Sequence, residues 1–490
     1  MITIKNRLPI IITIILIAVI QLFACKKLVD VGPPTTKITS SIVYNSDQAS
    51  ISVITGIYSK LSLGNNNSSA SISNLSFFAG LSADEYVLYS GANINRKSYY
   101  RNALSAPAAG FELWNNLYPF IFSCNSAIIG LSSSSNLTPG VKTQLLGEAK
   151  FLRAFFYFYL VNAYGDVPLI LSDNYIETAT ADRTPKSLVY NQIISDLKDA
   201  QTKLNVNYVQ ADVITPYDIS TAERIRPNKS TASALLARTY LYTQNWDSAE
   251  IQATNVIGNS LMYSLTPVND VFLKNSSEAI WQWQPVTNGG ITNTPEALLF
   301  ILSVTPAGLN STHPVYLRAN LMTSFEQGDL RSVEGNWISS YTNLTGKYYF
   351  SYKYKNATQG VDITPTEYKT VFRLAEQFLI RAEARAHQNE ISGSIDDLNT
   401  IRTRAGLPPT SASDQMSLLA AIAHERQVEL FSEMGHRWFD LKRTKMADTI
   451  MNIITPAKAN GMPWQSFQQF FPVPTSDIQR DPNLTQNVGY

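Results

Sequence analysis

The chain has 490 residues, a formal net charge of +1 and 16% charged residues. It has no basic surplus and no run of lysine or arginine, so we exclude a nucleic-acid partner. Hydrophobic residues make up 44% and aromatic residues 11%, which is enough for a large core with some aromatic side chains at the surface. The length predicts one large or two medium-sized globular units.

The N-terminus has the organisation of an export signal. Lys5 and Arg7 precede an apolar run at residues 10–20, which at about a dozen residues is too short to span a bilayer. Leu22-Phe23-Ala24 then leads to Cys25, which resembles the cleavage and lipidation site of bacterial lipoproteins. We interpret residues 1–24 as a lipoprotein signal peptide and Cys25 as the lipid anchor; the alternative is an ordinary signal peptide with an incidental cysteine.

Residues 25–40 contain Lys26-Lys27 and Pro33-Pro34 in a stretch without helical periodicity. Such a composition favours an extended backbone. We expect these residues to form a lipidated tether between the membrane and the folded body.

Helical periodicity begins after the tether. It predicts helices over residues 41–61, 111–131 and 141–164. The last of these is apolar nearly all round, so we expect it to be buried, with Gly165 and Pro168 ending it.

Two later segments have the spacing of antiparallel helix pairs. In residues 233–257, Ala237 is followed by Tyr240 three residues later and by Ala249 twelve residues later, which is the tetratricopeptide pattern. Residues 376–404 follow it more weakly. Ordinary helical hairpins are the alternative interpretation. Residues 279–283 and 347–354 alternate with a period of two, which predicts short strands.

Several segments together resemble the SusD/RagB family of outer-membrane nutrient-binding lipoproteins. In family order, they are residues 148–169, 234–242, 381–384, 397–406, 425–443, 471–474 and 483–490. The resemblance implies a mainly α fold in which tetratricopeptide-like hairpins form a superhelical scaffold, with long loops and a few short strands. It also implies a SusD-like N-terminal region over residues 41–260 and a RagB/SusD C-terminal region over 261–490, packed as one compact unit.

The resemblance implies a function as well. A protein of this family binds oligosaccharides or other nutrients at the cell outer membrane, facing outward, and delivers them to a SusC-like TonB-dependent transporter. The sequence leaves a second hypothesis open, a helical-repeat envelope scaffold that binds proteins and no small ligand.

Residues typical of catalysis do not form a recognisable set. His424-Glu425 begins like a zinc-protease helix, but Val428 stands where the second histidine is needed. Asp84 and Glu85 are adjacent, so we interpret them as a solvated turn. Cys124 lies on an apolar helical stretch and is expected to be a buried, inert thiol. We therefore expect no catalysis, no metal site and no cofactor.

Charged residues near the C-terminus are spaced at three and four positions. Arg426, Glu429, Glu433 and Arg437 would lie on one face of a single helix and pair with one another. Trp438 and Phe439 are expected to pack beneath them.

A glycan site needs flat ring faces for the C–H side of pyranose rings and polar partners for hydroxyl groups. We expect Trp114, Tyr118 and Trp246, which lie in helix motifs, to serve the core. The candidates lie in loop-like stretches, mainly 84–101 and 287–318. They are Tyr86, Tyr89, Asn95, Tyr99, Tyr100, Tyr316 and Trp337.

Overall fold

The computed structural model describes residues 43–62, 71–106, 111–286, 293–357 and 364–490. Cys25, the signal peptide and the tether lie outside these ranges. The α-helices are α1 (Asp47–Ser62), α2 (Leu75–Ser82), α3 (Ile94–Tyr100), α4 (Phe111–Ser133), α5 (Pro139–Tyr164), α6 (Tyr175–Thr178), α7 (Lys186–Lys203), α8 (Lys229–Tyr242), α9 (Trp246–Ile257), α10 (Pro295–Phe300), α11 (Ala319–Met322), α12 (Leu374–His387), α13 (Ile391–Arg404), α14 (Gln415–Glu429), α15 (His436–Arg443), α16 (Ala447–Lys458) and α17 (Thr475–Arg480). Short 3-10 helices lie at Ile72–Asn74, Ile219–Thr221, Leu330–Ser332 and Ser466–Gln469.

Strands are few and short, and they pair in antiparallel twos within the described ranges. They are β1 (Tyr86–Leu88), β2 (Val167–Pro168), β3 (Arg183–Thr184), β4 (Ala279–Trp283), β5 (Val315–Leu317), β6 (Ile338–Asn343), β7 (Gly346–Ser351) and β8 (Lys369–Arg373). The pairs are β1 with β5, β2 with β3, β4 with β8, and β6 with β7. The strands predicted at residues 279–283 and 347–354 are confirmed as β4 and β7, except that β7 ends at Ser351.

The long helices pack in a continuous series. Helix α4 contacts α5, α5 contacts α7, α7 contacts α8, and the series continues through α9, α12, α13 and α14. Each hairpin therefore covers the apolar face of the previous one, as tetratricopeptide-like repeats do. The expected mainly α, superhelical fold with a few short strands is confirmed. No helix of the described ranges is long and apolar enough to cross a bilayer.

Helix α5 lies in the middle of the core, as its all-round apolar sequence predicts. Pro139 occupies its first turn, where a missing N–H costs nothing, and Gly165 ends it at φ +78°. The ring of Phe155 packs edge-on against Trp281 of β4, with centroids 5.1 Å apart. A fully buried Phe side chain contributes roughly 1.5–3 kcal/mol to folding.

The helix pair predicted from the tetratricopeptide spacing is confirmed as α8 and α9. The Asn228 side chain accepts a hydrogen bond from the backbone N–H of Thr231, and the Thr231 hydroxyl completes the capping box that begins α8. Ala237 and Ala249, one on each helix of the contacting pair, are both 0% exposed. Small side chains here allow the two helices to approach closely. The second predicted pair is confirmed as α12 and α13.

A buried ion pair joins the two hairpins. Arg238 of α8 donates from Nε and Nη2 to the two carboxylate oxygens of Glu376 on α12, each at 2.6 Å. Both side chains are 1% exposed. Because both charges are desolvated, removing one residue of the pair would leave the other charge buried and uncompensated, which destabilises the fold.

The predicted charged helix face at residues 426–437 is wrong. Helix α14 ends at Glu429, and Gly435 at φ +74° precedes α15, so the four residues do not share one helix. They pair with other parts of the chain instead. Arg426 pairs with Asp440, Glu429 with Arg331, Arg373 and Arg404, Glu433 with Lys353 and Arg373, and Arg437 with Asp84. Trp438 and Phe439 are buried, as expected.

The expected solvated turn at Asp84 and Glu85 is also wrong, since the two residues are 2% and 3% exposed. Asp84 accepts two hydrogen bonds from Arg437, both at 2.8 Å, and this pairing holds its pKa below the usual range despite burial. Glu85 accepts one from the backbone N–H of Ser432 at 3.0 Å. Its burial, opposed by that hydrogen bond, raises its pKa to about 7.

Cys124 matches its prediction. Its thiol is fully buried in α4, and burial raises its pKa, so little reactive thiolate forms near neutral pH.

Candidate functional site

The two segments that the sequence nominates for a ligand lie side by side. Strand β1 pairs with β5, with Val87 opposite Tyr316. The ladder extends at both ends, because the backbone N–H of Tyr89 donates to Pro314 O at 2.7 Å and that of Arg318 donates to Glu85 O at 2.8 Å. Residues 287–292 of the second segment lie outside the described ranges.

Three of the nominated aromatic residues are buried, and the expectation that their rings are exposed is corrected. Tyr86 is 0% exposed and donates its hydroxyl to Ser432 Oγ at 2.8 Å. Tyr99 is 0% exposed and packs edge-on against Phe471. Trp337 is 0% exposed and donates its indole N–H to Val268 O at 2.5 Å. These rings have no open face for a ligand.

The other four nominated residues, Tyr89, Asn95, Tyr100 and Tyr316, are half-buried. Side chains alternate along a strand, so the burial of Tyr86 leaves Val87 and then Tyr89 on the outward face, the face of Tyr316. Whether they contact a ligand stays a prediction.

Helix α3 carries Asn95 and Tyr100 to this place. The Asn93 side chain accepts from the backbone N–H of Arg96 and begins the helix. Arg96 Nη1 then donates to Ser311 O at 2.6 Å, which fixes the helix against the loop before β5.

The β6–β7 hairpin adds two tyrosines that sequence reasoning did not nominate. Tyr341 and Tyr348 stand directly opposite each other, and the ring of Tyr348 meets that of Tyr316 edge-on at 5.1 Å. The Tyr341 ring lies so close to Gly308 that a Cβ there would be 3.2 Å from it. We call Tyr89, Tyr100, Tyr316, Tyr341 and Tyr348 the tyrosine surface; the period-two alternation in residues 347–354 was the available signal for its hairpin part.

A buried lysine lies beneath the tyrosine surface. Lys458 Nζ lies 5.2 Å from the centroid of the Tyr100 ring and donates to the carbonyl oxygens of Leu81 and Ala83, each at 2.8 Å. Burial raises the pKa of Tyr316, and the neighbouring Tyr100 and Tyr348 add to that shift. The electrostatic coupling places these three hydroxyl-bearing rings in one neighbourhood.

The chemistry of this surface is that of contact and hydrogen bonding. Half-exposed rings can pack on the apolar face of a sugar, and their hydroxyls can bond to its hydroxyl groups. The nearby carboxyl groups, Asp84 and Glu85, are buried beneath and engaged by Arg437 and Ser432. Among the described residues, no group of three or more His, Cys, Asp or Glu side chains is placed to hold a metal ion.

A cleft lies among the helical hairpins, away from the tyrosine surface. Its volume is about 620 Å³, and its apolar wall includes Leu241, Trp246 and Ile450. The ring of Trp246 stacks flat on His387 with centroids 3.8 Å apart. Two of the arginines that line it are already paired, Arg443 with Glu383 and Arg426 with Asp440. The cleft therefore offers mainly apolar contact.

Three aromatic residues were expected in the core. Trp114 is buried there, whereas Tyr118 and Trp246 are half-buried and pack against the core from its edge.

Two family profiles match the chain. Residues 278–490 match the SusD family, and residues 51–241 match the family described as starch-binding and associating with the outer membrane. The first match lies in the C-terminal part of the body and the second in the N-terminal part.

Individual proteins similar to this chain carry the same family name. SusD-like protein P25 of Formosa agariphila is 23% identical over 96% of this chain and 97% of its own. The starch-binding protein SusD of Bacteroides thetaiotaomicron is 23% identical over 74% of this chain and 75% of its own.

Solved structures show the same fold. A SusD superfamily protein from Parabacteroides distasonis superimposes with a TM-score of 0.74 at 23% identity, over 93% of this chain and 100% of that one. A laminarin-binding SusD-like protein gives a TM-score of 0.71 at 22% identity, over 91% and 99%. With the sequence motifs, the two family profiles and this shared fold, the chain belongs to the SusD/RagB family.

Proposed function

We propose that this protein is a lipid-anchored receptor of the outer membrane that binds glycans and passes them to a SusC-like TonB-dependent transporter. One observation supports the proposal that the protein binds glycans. Two segments distant in sequence, with a hairpin, bring five half-exposed tyrosines to one surface. The family membership and the names of its relatives, which include starch- and laminarin-binding proteins, support a carbohydrate ligand.

The proposed action is binding without catalysis. The acid pair of a glycosidase needs two carboxyl groups about 5–10 Å apart that face the substrate. Asp84 and Glu85 are adjacent, buried and engaged by other residues, so they do not provide that arrangement. The tyrosine surface supplies contact and orientation only.

Weak affinity follows from this geometry. A stacked aromatic ring contributes about 1 kcal/mol beyond its area, so a few of them give a dissociation constant between about micromolar and millimolar. A receptor that must hand its cargo on benefits from such weak binding, because a weakly held ligand leaves quickly.

The test has two stages. Calorimetric titration against a panel of oligosaccharides first finds a binder; hydrogen exchange with and without that oligosaccharide then locates it. We expect slower exchange in β5, in the β6–β7 hairpin and in α3. Absence of binding to every glycan, or protection confined to the helices of the cleft, would contradict the proposal.

The partner is tested separately. We expect the transporter to copurify with the full-length protein from membranes solubilised in mild detergent. Purification of the protein alone, from cells that express a SusC-like transporter beside it, would argue against delivery while leaving glycan binding intact.

The second candidate function is an envelope scaffold that binds proteins. The apolar cleft around Trp246 and Ile450, built between helical hairpins, is the observation in its favour. Under this function, Ile450→Glu would abolish capture of a partner protein, and substitutions in the tyrosine surface would have no effect on it.

A further inference from the structure

Positively charged side chains accompany the tyrosine surface. Tyr100 and Arg101 follow Lys97 by three and four residues at the C-terminal end of α3, so each is a neighbour of Lys97 on the helix surface. All three are half-buried. The C-terminal end of the helix therefore carries one aromatic ring and two cations.

Arg318 supplies a third cation from the other segment. It follows β5 directly, one residue after Leu317, and is half-buried. Its charge lowers the pKa of Tyr316, against the raising effect of burial, and it also disfavours the ammonium form of Lys458. Arg318 is therefore near both Tyr316 and Lys458, and Lys458 lies against the Tyr100 ring.

These cations lack the partners that other cations of this protein have. Arg238 is paired with Glu376, and Arg437 with Asp84, in buried bidentate contacts. The side chains of Lys97, Arg101 and Arg318, by contrast, form no ion pair or hydrogen bond with any residue in the described part of the chain.

The carboxyl groups nearby do not compensate this charge. Asp84 is committed to Arg437 through two hydrogen bonds, and Glu85 is buried, with a pKa raised to about 7 by desolvation. Lys458 at the base does not enter this count, because burial lowers its pKa well below the usual range. The tyrosine surface therefore has a local surplus of positive charge, although the whole chain carries only +1.

We propose that the ligand is an anionic glycan, whose carboxylate or sulfate groups pair with Arg318, Arg101 and Lys97 while its rings pack on Tyr100 and Tyr316. The inference rests on the proposed glycan-binding function and adds the charge class of the substrate. A guanidinium presents parallel N–H donors that match the oxygens of a carboxylate or sulfate, and partial desolvation beside the rings strengthens the pairing.

The experiment compares ligands that differ only in charge. Oligogalacturonate is titrated beside its methyl-esterified form, and a sulfated galactan oligosaccharide beside its desulfated form. We expect at least one acidic form to bind about tenfold more tightly than its neutral match at low salt. The advantage should shrink between 50 mM and 500 mM NaCl, because salt screens exposed charges.

Substitutions assign the preference to residues. Arg318→Gln and Arg101→Gln should each weaken binding of the acidic ligand about three- to tenfold and leave binding of its neutral match unchanged. Arg480→Gln is the matched control, since Arg480 is an exposed arginine on α17. Thermal unfolding checks that each variant is folded.

The outcomes separate this inference from the function on which it rests. Equal affinity for acidic and neutral forms, with both weakened in Tyr316→Ala, would overturn the charge preference and keep the glycan receptor. The charge preference is likewise overturned if the acidic ligand binds the Arg318→Gln and Arg101→Gln double variant as well as it binds the wild type, or if polyacrylate competes as well as the acidic glycan. No binding of either form would instead remove the proposed function.

Discussion

The ring of Tyr316 meets the ring of Tyr348 edge-on, with centroids 5.1 Å apart. This contact joins β5 to the β6–β7 hairpin and so connects the two parts of the tyrosine surface. Tyr316 also lies opposite Val87 of β1, so β5 connects the hairpin to the segment that leads to α3. The surface is a product of tertiary packing among segments that carry no shared motif.

Breaking the buried pair between α8 and α12 should destabilise the fold strongly. Glu376→Gln leaves the Arg238 guanidinium buried without its counter-charge, so we expect the free energy of unfolding to fall by about 3–5 kcal/mol. Urea unfolding followed by circular dichroism measures it. Glu390→Gln, on an exposed carboxylate beyond the same helix, is the control. A loss below about 1 kcal/mol would show that the pair is not desolvated as the structure has it.

Glu85 should make stability depend on pH. Its pKa is raised from 4.5 to about 7 in the fold, so the folded state holds the proton more tightly than the unfolded chain. The contribution of Glu85 to the free energy of unfolding is fully present below pH 4.5. It is lost as pH rises through 7, and the total loss is about 3 kcal/mol. The difference in unfolding free energy between wild type and Glu85→Gln, followed from pH 4 to 8, isolates it. A difference independent of pH would refute the assignment.

Overpacking should disrupt the α8–α9 hairpin. Ala237 is fully buried where the two helices meet, so Ala237→Trp should lower the free energy of unfolding by roughly 1–3 kcal/mol or more. Ala420→Trp, at an exposed position of α14, is the matched control and should change stability little. Equal effects of the two substitutions would contradict close helix contact at Ala237.

Membrane attachment should depend on Cys25. We expect Cys25→Ala to release the protein from the membrane fraction, and the wild type to incorporate a labelled fatty acid, because Cys25 is the proposed anchor. Fractionation is done in cells that lack the transporter, since that partner could retain the variant. An unlabelled wild type, or a variant that stays with the membrane in those cells, would count against lipid anchoring.

The elements that periodicity specifies were predictable. Helix α5 and the α8–α9 pair follow from local spacing of apolar and small residues, and both formed near the expected positions. The proposed boundary at residues 260 and 261 stays a prediction.

The burial of individual aromatic and charged residues was not predictable. Tyr86 and Asp84 lie in a polar stretch of sequence, yet partners from the C-terminal region, Ser432 and Arg437, bury and bond them. Such long-range pairing has no local signature. For the same reason, the contribution of Tyr341 and Tyr348 to the tyrosine surface became visible only in the fold.

The central claim is that the tyrosine surface binds the glycan, and calorimetry on three variants tests it most directly. Using the tightest-binding oligosaccharide of the panel, we expect Tyr316→Ala and Tyr100→Ala each to weaken binding about five- to tenfold, the loss of about 1 kcal/mol. Tyr349→Ala should bind as the wild type does, because neighbouring residues on a strand point to opposite faces and Tyr349 faces away from Tyr348. Unchanged affinity in Tyr316→Ala and Tyr100→Ala, with all three variants folded, would contradict the account and exclude this surface as the binding site.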